Sequence, residues 1–299
     1  MTLASTKLPQ PLEGALWMDY SIFNETMANL TWKQIESLAQ NKAIVLLPCD
    51  PLEEHGPTMP ITVDVYFCYI VTLRIRDLLE QRSHDVVIAP PNYWGICNTT
   101  GAFPGTFTLR KETLKLLLYD ILGCLKRWGF EHVFVISLHG DPSHRNAIAE
   151  AVADARMENG IRARFIIPYR RARYSGYKGY EDYLLVQPPE HDQVWDYYIQ
   201  MKDGHSGSME TSFITKYYPE FIDEAETRKL KPTSLSTHDV KKWSSGWSEC
   251  REAIPDGYYG NPALIEPGRV EELIEAEAKS HAELIDSYLK GDYVPPRME

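Results

Sequence analysis

The sequence predicts an α/β fold built on a parallel, doubly wound sheet. Four short, mostly β-branched apolar runs, at 43–48, 85–90, 132–138 and 162–168, have the length and composition of buried strands. Longer segments with apolar residues at helical spacing lie between them. Strands that alternate with helices are typical of a parallel sheet covered on both faces. The whole chain, residues 1–299, is predicted to be a single domain.

The helices are predicted from the spacing of their apolar residues and from capping signals. The first begins after Thr31, whose hydroxyl suits an N-cap, and ends near Asn41. Further helices are expected at about 65–82, 111–128 and 144–158. Each connects two predicted strands, as a parallel sheet requires.

Two segments do not follow this alternation. Residues 169–200 are rich in Tyr and Arg and are predicted to be an insertion. Three roles remain open for it: a subunit interface, a wall of a substrate pocket, or plain surface. Interleaved basic and aromatic residues also occur in nucleic-acid binders. Residues 231–256 are predicted to be a long irregular connection, in which Trp243 or Trp247 either closes over a substrate or anchors the loop.

Composition excludes several classes of protein. A formal net charge of −11 argues against a nucleic-acid partner. Five cysteines without a CxxC pair indicate free thiols in a reducing compartment, so we expect a cytoplasmic protein. Residues 1–11 lack the pattern of a signal peptide, and no run of about 18 apolar residues suggests a membrane span.

The first candidate site follows the strand predicted at 43–48. Glu53 and His55 are two positions apart, so in an extended segment both side chains point to the same side. Gly56 and Pro57 then bend the chain, which lets Asp64 return to the same point. The loop lies at the carboxyl end of a strand, where open α/β sheets place their ligands. Two carboxylates and an imidazole suit zinc or manganese.

Two further clusters complete this pattern. His139 and Asp141 follow the strand predicted at 132–138, again two positions apart. His205 and Glu210 lie among small residues before an apolar, helical segment. The sequence therefore offers five potential ligands, enough for two ions if Asp64 bridges them: Glu53, His55, Asp64, His139 and Asp141.

Taken one at a time, these clusters also fit ordinary structural roles. Glu53 and His55 could belong to a solvated loop, and Asp141 could belong to a turn. Asp64 could cap a helix, and Glu210 could be a first-turn carboxylate favoured by the helix dipole. The metal hypothesis depends on their repetition, because all three clusters pair an imidazole with a carboxylate and two of them follow a strand.

The motifs, taken in order, resemble the signatures of the creatininase (creatinine amidohydrolase) family. The resemblance extends over about residues 30 to 290. The matching stretches are residues 53–60 with Asp64, 101–106, 137–141, 204–212 and 257–262. This resemblance implies a three-layer α/β sandwich with a central, mostly parallel sheet. It also implies a homo-oligomer, commonly a hexamer.

The resemblance further implies a dinuclear metal hydrolase that acts on a non-peptide C–N bond of a small molecule, with zinc or manganese as cofactor. Glu53 and His139 would hold one ion, His55 and Asp141 the other, and Asp64 would bridge. His205 would be an acid or base beside the substrate. Glu210 would be catalytic or linked to the metal, and Gly140 and Lys202 would contact the substrate.

Departures from the family pattern bear on the substrate. Creatininase grips creatinine with a Trp-Asp pair, and Met201 and Lys202 occupy those places. A thioether and a cation cannot replace a carboxylate that accepts hydrogen bonds, which argues against creatinine. Two alternatives stay open: a deformylase acting on a heteroaromatic or nucleotide-like formamide, for which Lys202 and the Arg cluster would serve an anion, and a non-catalytic binding or assembly protein of the same fold.

Overall fold

The computed structural model describes residues 20–298. The expectation for residues 1–11 lies outside this part of the chain. Five strands form one sheet: β1 (Ile44–Pro48), β2 (Val86–Ile88), β3 (His132–Ile136), β4 (Arg162–Ile167) and β5 (Leu184–Val186). The helices are α1 (Trp32–Gln40), α2 (Val63–Glu80), α3 (Lys111–Arg127), α4 (Pro142–Asn159), α5 (Tyr169–Tyr174), α6 (Asp196–Gln200), α7 (Ser208–Tyr217), α8 (Glu224–Thr227), α9 (Thr237–Ser245), α10 (Trp247–Ala253) and α11 (Pro267–Lys290). Short 3₁₀ turns span Met27–Asn29, Pro189–Trp195 and Pro219–Phe221.

The sheet has the strand order β2-β1-β3-β4-β5, and all four pairings are parallel. Successive residues of β1 point to opposite faces: Val45 and Leu47 belong to one apolar cluster, and Ile44 and Leu46 belong to another. Both faces are therefore buried, which explains why the strand sequences are continuously apolar. The α/β sandwich predicted from the sequence is confirmed.

The helices form the two outer layers of the sandwich. Apolar residues of α3 and α4 pack on one face of the sheet, and those of α2, α7 and α11 pack on the other. Helix α1 begins as predicted, with Thr31 accepting a hydrogen bond from the Gln34 N–H in a capping box, and it ends at Asn41. Among residues 20–298, no helix is long and apolar enough to span a membrane.

The two segments outside the predicted alternation are more regular than expected. Residues 169–200 contribute β5, which adds a fifth strand beside β4, so this segment is part of the sheet. Residues 231–256 contain α9 and α10 and are only partly irregular. The helices and the strand in both segments are too short for their apolar and aromatic residues to show periodicity, which is why these elements were missed.

Candidate metal centre

Three loops bring the candidate ligands together at the carboxyl end of the sheet. Glu53 and His55 lie in the loop that follows β1, and His139 follows β3. Strands β1 and β3 are neighbours in the sheet, so their ends are adjacent. Helix α2 begins at Val63, which places Asp64 in its first turn, and α7 supplies Glu210 from its own first turn.

Asp64 occupies the centre of the cluster. Its Oδ1 lies 3.6 Å from Nε2 of His55, and its Oδ2 lies 3.1 Å from Nδ1 of His139. Glu53 Oε2 lies 3.4 Å from the same His139 nitrogen, and Glu210 Oε2 lies 3.7 Å from Nε2 of His55. One carboxylate thus faces two imidazoles with different oxygens, as a bridging ligand would.

The three histidines share one arrangement. Each lies within hydrogen-bond distance of a main-chain carbonyl through one ring nitrogen: His55 Nδ1 and the Glu53 oxygen at 3.0 Å, His139 Nε2 and the Ile96 oxygen at 3.2 Å, His205 Nε2 and the Glu54 oxygen at 3.0 Å. A carbonyl can only accept, so these nitrogens carry the hydrogen, and in the neutral ring the other nitrogen offers its lone pair to the cluster. Metal-binding histidines are commonly oriented in this way.

Nε2 of His55 is buried and has no hydrogen-bond partner among the described residues. Its nearest polar atoms are the carboxylate oxygens of Asp64 and Glu210, which lie beyond hydrogen-bond distance. Burial would lower the pKa of His55, but these carboxylates outweigh burial and raise that pKa well above its usual value. A divalent cation between these atoms would satisfy the imidazole and neutralise the carboxylates, so the donor set fits a metal ion.

Three overlapping sets of side chains could each hold an ion: Glu53, Cys97 and His139; Glu53, His55 and His205; and His55, Asp64 and Glu210. The ligand atoms within each set lie within 4.8 Å of one another. Four of the five ligands predicted from the sequence take part. Three others also take part: Cys97, which was not singled out from the sequence, and His205 and Glu210, for which catalytic roles were expected, with a metal-linked role also open for Glu210. Only the fold brings these three residues to the β1 loop.

Asp141 differs from the sequence-based expectation. Its Oδ1 accepts a hydrogen bond from the Ser143 N–H and its Oδ2 accepts one from the Asn98 N–H, both at 2.7 Å. Pro142 is the first residue of α4, and this makes Asp141 the N-cap of that helix. Both carboxylate oxygens therefore accept hydrogen bonds from the backbone. Glu210, and not Asp141, lies with His55 and Asp64 in a candidate ligand set.

His205 is oriented by Glu54. Its Nε2 lies 3.3 Å from Glu54 Oε1 as well as near the Glu54 carbonyl, and its ring lies 4.6 Å from that of His55. Burial would lower the pKa of His205, but the Glu53 charge and the Glu54 hydrogen bond outweigh it and raise the pKa to about 9. Glu54 lies outside the three ligand sets, and its contact with His205 was not predicted.

Other buried polar residues hold the loops in place. Asp50 accepts hydrogen bonds from the Ser137 hydroxyl at 2.5 Å and the Leu138 N–H at 3.0 Å, which fixes the end of β3. Burial raises the pKa of Asp50 to about 6. The Thr100 hydroxyl donates to Glu53 Oε1. Neither contact was predicted, since no short-range spacing links these residues to the motifs.

A cavity of about 450 Å³ opens beside the cluster, within the usual range for small-molecule sites. Gly140 lines this cavity, as the predicted substrate contact would. Lys202 is exposed and does not line it, which differs from the expectation. Trp243 lines it, and its ring lies 5.4 Å from that of Tyr259. The 169–200 segment contributes one wall, through Arg170, Arg171, Tyr174, Asp192, Trp195, Tyr198 and Ile199.

Comparison with known proteins agrees with this arrangement. The family profile described as "Creatininase: Creatinine amidohydrolase" matches residues 28–285, most of the chain. The chain belongs to the creatininase family. The predicted family resemblance is confirmed, and membership supports a hydrolase of the amidohydrolase type.

Two curated relatives of this creatininase-family chain are named for different activities. Creatinine amidohydrolase of Pseudomonas putida is 26% identical over 231 residues, which cover 75% of this chain and 82% of the relative. The mycofactocin precursor peptide peptidase of Mycolicibacterium smegmatis is 29% identical over 137 residues, covering 46% of this chain and 53% of the relative.

Solved creatininase structures share the fold. "Creatininase Mn" aligns with a TM-score of 0.63 at 22% identity over 88% of this chain and 98% of that one. A variant creatininase of the Zn-Zn type aligns with the same TM-score and identity, over 88% of this chain and 97% of that one.

Proposed function

We propose that this chain is a dinuclear, metal-dependent amidohydrolase that cleaves a non-peptide C–N bond of a small molecule, such as a cyclic amide or amidine. The observation that carries the proposal is the buried, unpartnered Nε2 of His55 facing the oxygens of Asp64 and Glu210. Carboxylates around a buried imidazole nitrogen favour a positive charge at this point, and a bound metal ion would supply it. Creatininases described as manganese and zinc forms support these metals for this fold.

Five residues of the chain would hold the two ions. Glu53 and His139 would hold one ion, His55 and Glu210 the other, and Asp64 would bridge them. Divalent cations bound there supply Lewis acidity and lower the pKa of a bound water toward about 7.

His205 would move the proton that the leaving nitrogen needs. The Glu54 carbonyl and carboxylate hold its Nε2–H, so Nδ1 is the nitrogen left to take or return a proton. Trp243 would cover a bound substrate and exclude water, since it lines the cavity from α9.

A deformylase acting on a heteroaromatic or nucleotide-like formamide is the second candidate. Two observations favour it: the creatinine-gripping pair is replaced by Met201 and Lys202, and Arg145 and Arg171 line the cavity. Both reactions use the same residues, because each adds water to a carbonyl carbon and expels a nitrogen. Because two curated relatives are named as peptide peptidases, short peptides are also worth testing as substrates.

Elemental analysis of the purified protein tests the proposal first, with and without added manganese or zinc. We expect about two ions per chain. The metal-loaded protein is then assayed against cyclic amides, N-formyl heterocycles and short peptides, and activity should be lost on chelation and restored by metal. A chain that binds no metal at any added concentration would be a binding or assembly protein of this fold.

A further inference from the structure

Two arginines, the buried Arg145 and the half-buried Arg171, lie on the wall of the cavity next to the candidate metal ligands. Arg145 comes from the first turn of α4 and Arg171 from α5. Both side chains line the same cavity as Glu53, Asp64 and His139. Arg145 is only 3% exposed, an unusual position for a guanidinium.

Their hydrogen-bond partners are neutral. Arg145 Nη1 donates to the main-chain carbonyls of Gly140 and His139, and Arg171 Nη1 donates to those of Leu138 at 2.8 Å and His139 at 3.2 Å. Because both arginines reach the carbonyl of His139, the two guanidinium groups are close together. Nε of Arg145 is buried and has no partner among the described residues.

No carboxylate within residues 20–298 forms an ion pair with either side chain. Arg170, which lines the same cavity, does form one, with Asp196 at 3.3 Å. Burial and the nearby charge of Arg171 together lower the pKa of Arg145 to about 9, although the charge of Asp141 acts in the opposite direction. Burial also lowers the pKa of Arg171, although the charges of Glu277 and other carboxylates oppose this through space. A buried guanidinium held close to a second, half-buried one, without an ion-paired carboxylate, is costly to maintain.

We propose that Arg145 and Arg171 form an anion-binding position inside the cavity, and that the substrate carries a carboxylate or phosphate group close to its scissile C–N bond. The planar guanidinium fork matches both of these anions. The aromatic side chains of Tyr174, Trp195 and Trp243 line the same cavity and suit a ring beside the anion. This inference rests on the proposed function and deepens it, because the anion would lie next to His139, which would hold a metal ion.

The anion is expected close to the scissile bond because a single residue, His139, contacts both the ligand cluster and the two arginines. His139 offers its imidazole to the ligand cluster and its carbonyl to both arginines. A substrate with its carbonyl at the cluster would therefore place a neighbouring substituent against the arginines. Arg171 is also held in place by the Trp195 ring, with 6.0 Å between its guanidinium carbon and the ring centre.

Binding of three small probes to the metal-loaded protein tests this, measured by calorimetry: benzoate, phenyl phosphate, and neutral benzamide. We expect at least one anion to bind roughly tenfold or more tightly than benzamide, and the preferred anion identifies the group. R145Q and R171Q should each reduce this ratio roughly tenfold. R170Q is the matched control, since that arginine lines the same cavity but is paired, and its ratio should stay within about twofold of the wild-type value.

The ratio of the affinity for the anion to the affinity for benzamide distinguishes an anion-binding role of the arginines from a purely structural one. If the arginines only support the loop at 138–140, their loss would weaken anionic and neutral probes alike. R145K and R171K keep the charge and provide folded variants if the glutamine variants are unstable, and they should lower the ratio less than glutamine does. An unchanged ratio in variants of both arginines, or no anion preference in the wild-type protein, would overturn the inference. Metal content and hydrolysis are measured separately, so failure of the hydrolase proposal is distinguishable from failure of the anion site.

Discussion

Exchanging the carboxylates of Glu210 and Asp141 for amides tests which of the two residues holds the second ion. E210Q removes the charge that lies 3.7 Å from His55 Nε2, while an amide oxygen can still accept from the Ser206 N–H. We expect E210Q to fold normally and to lose about one of two ions per chain. D141N should keep both ions, because each carboxylate oxygen of Asp141 already accepts a hydrogen bond from a backbone N–H.

The magnitude for Asp141 follows from its two hydrogen bonds. D141A removes the N-cap of α4, which costs about 1 kcal/mol, and leaves the Asn98 N–H without an acceptor, which costs roughly 1 kcal/mol more. At about 2–4 °C per kcal/mol for a large domain, the melting temperature should fall roughly 4–8 °C. D141N should fall about half as much, since Asn also caps helices well but its amide nitrogen cannot accept from the Asn98 N–H.

Elemental analysis and thermal unfolding of the same preparations measure both effects. The reasoning fails if D141N loses an ion while E210Q keeps two. It also fails if D141A loses metal without losing stability, because the carboxylate would then be a ligand and not a cap.

Three further predictions concern other residues. H205A should keep its metal content but lose at least about a hundredfold in kcat, since proton transfer contributes 10²–10⁴; full activity in a steady-state assay would exclude His205 as the acid or base. G257A should lower turnover by displacing Glu54, because a Cβ there would lie 2.3 Å from Glu54 Oε2 at a φ of +75°; unchanged kcat would contradict this. Burial would raise the pKa of Glu277, but its contact with His191 outweighs burial and holds the pKa at about 2. The stabilisation from Glu277, on the order of 3 kcal/mol, is therefore complete above pH 4.5 and is lost between pH 4.5 and 2; E277Q should flatten urea-unfolding stability in that window, and identical pH profiles would refute the assignment.

The sequence alone predicts four of the five strands and much of the candidate ligand set, because both depend on short-range patterns. The continuous apolar runs of β1 and β3 identify strands buried on both faces, and the next polar residues mark the strand ends. Each strand is followed by a pair of polar residues two positions apart, Glu53 and His55 or His139 and Asp141. In an extended chain, two such side chains point to the same side. In the structure, Glu53, His55, Asp64 and His139 indeed lie together.

Tertiary packing decided the rest. Whether a carboxylate near a strand end faces the cluster or caps a helix depends on the backbone beside it, and Asp141 and Glu210 differ in this respect. The hydrogen bonds of His205 with Glu54 and of Arg171 with the His139 carbonyl join residues far apart in the chain. Sequence spacing carries no information about such contacts, because they exist only after the helices have packed on the sheet.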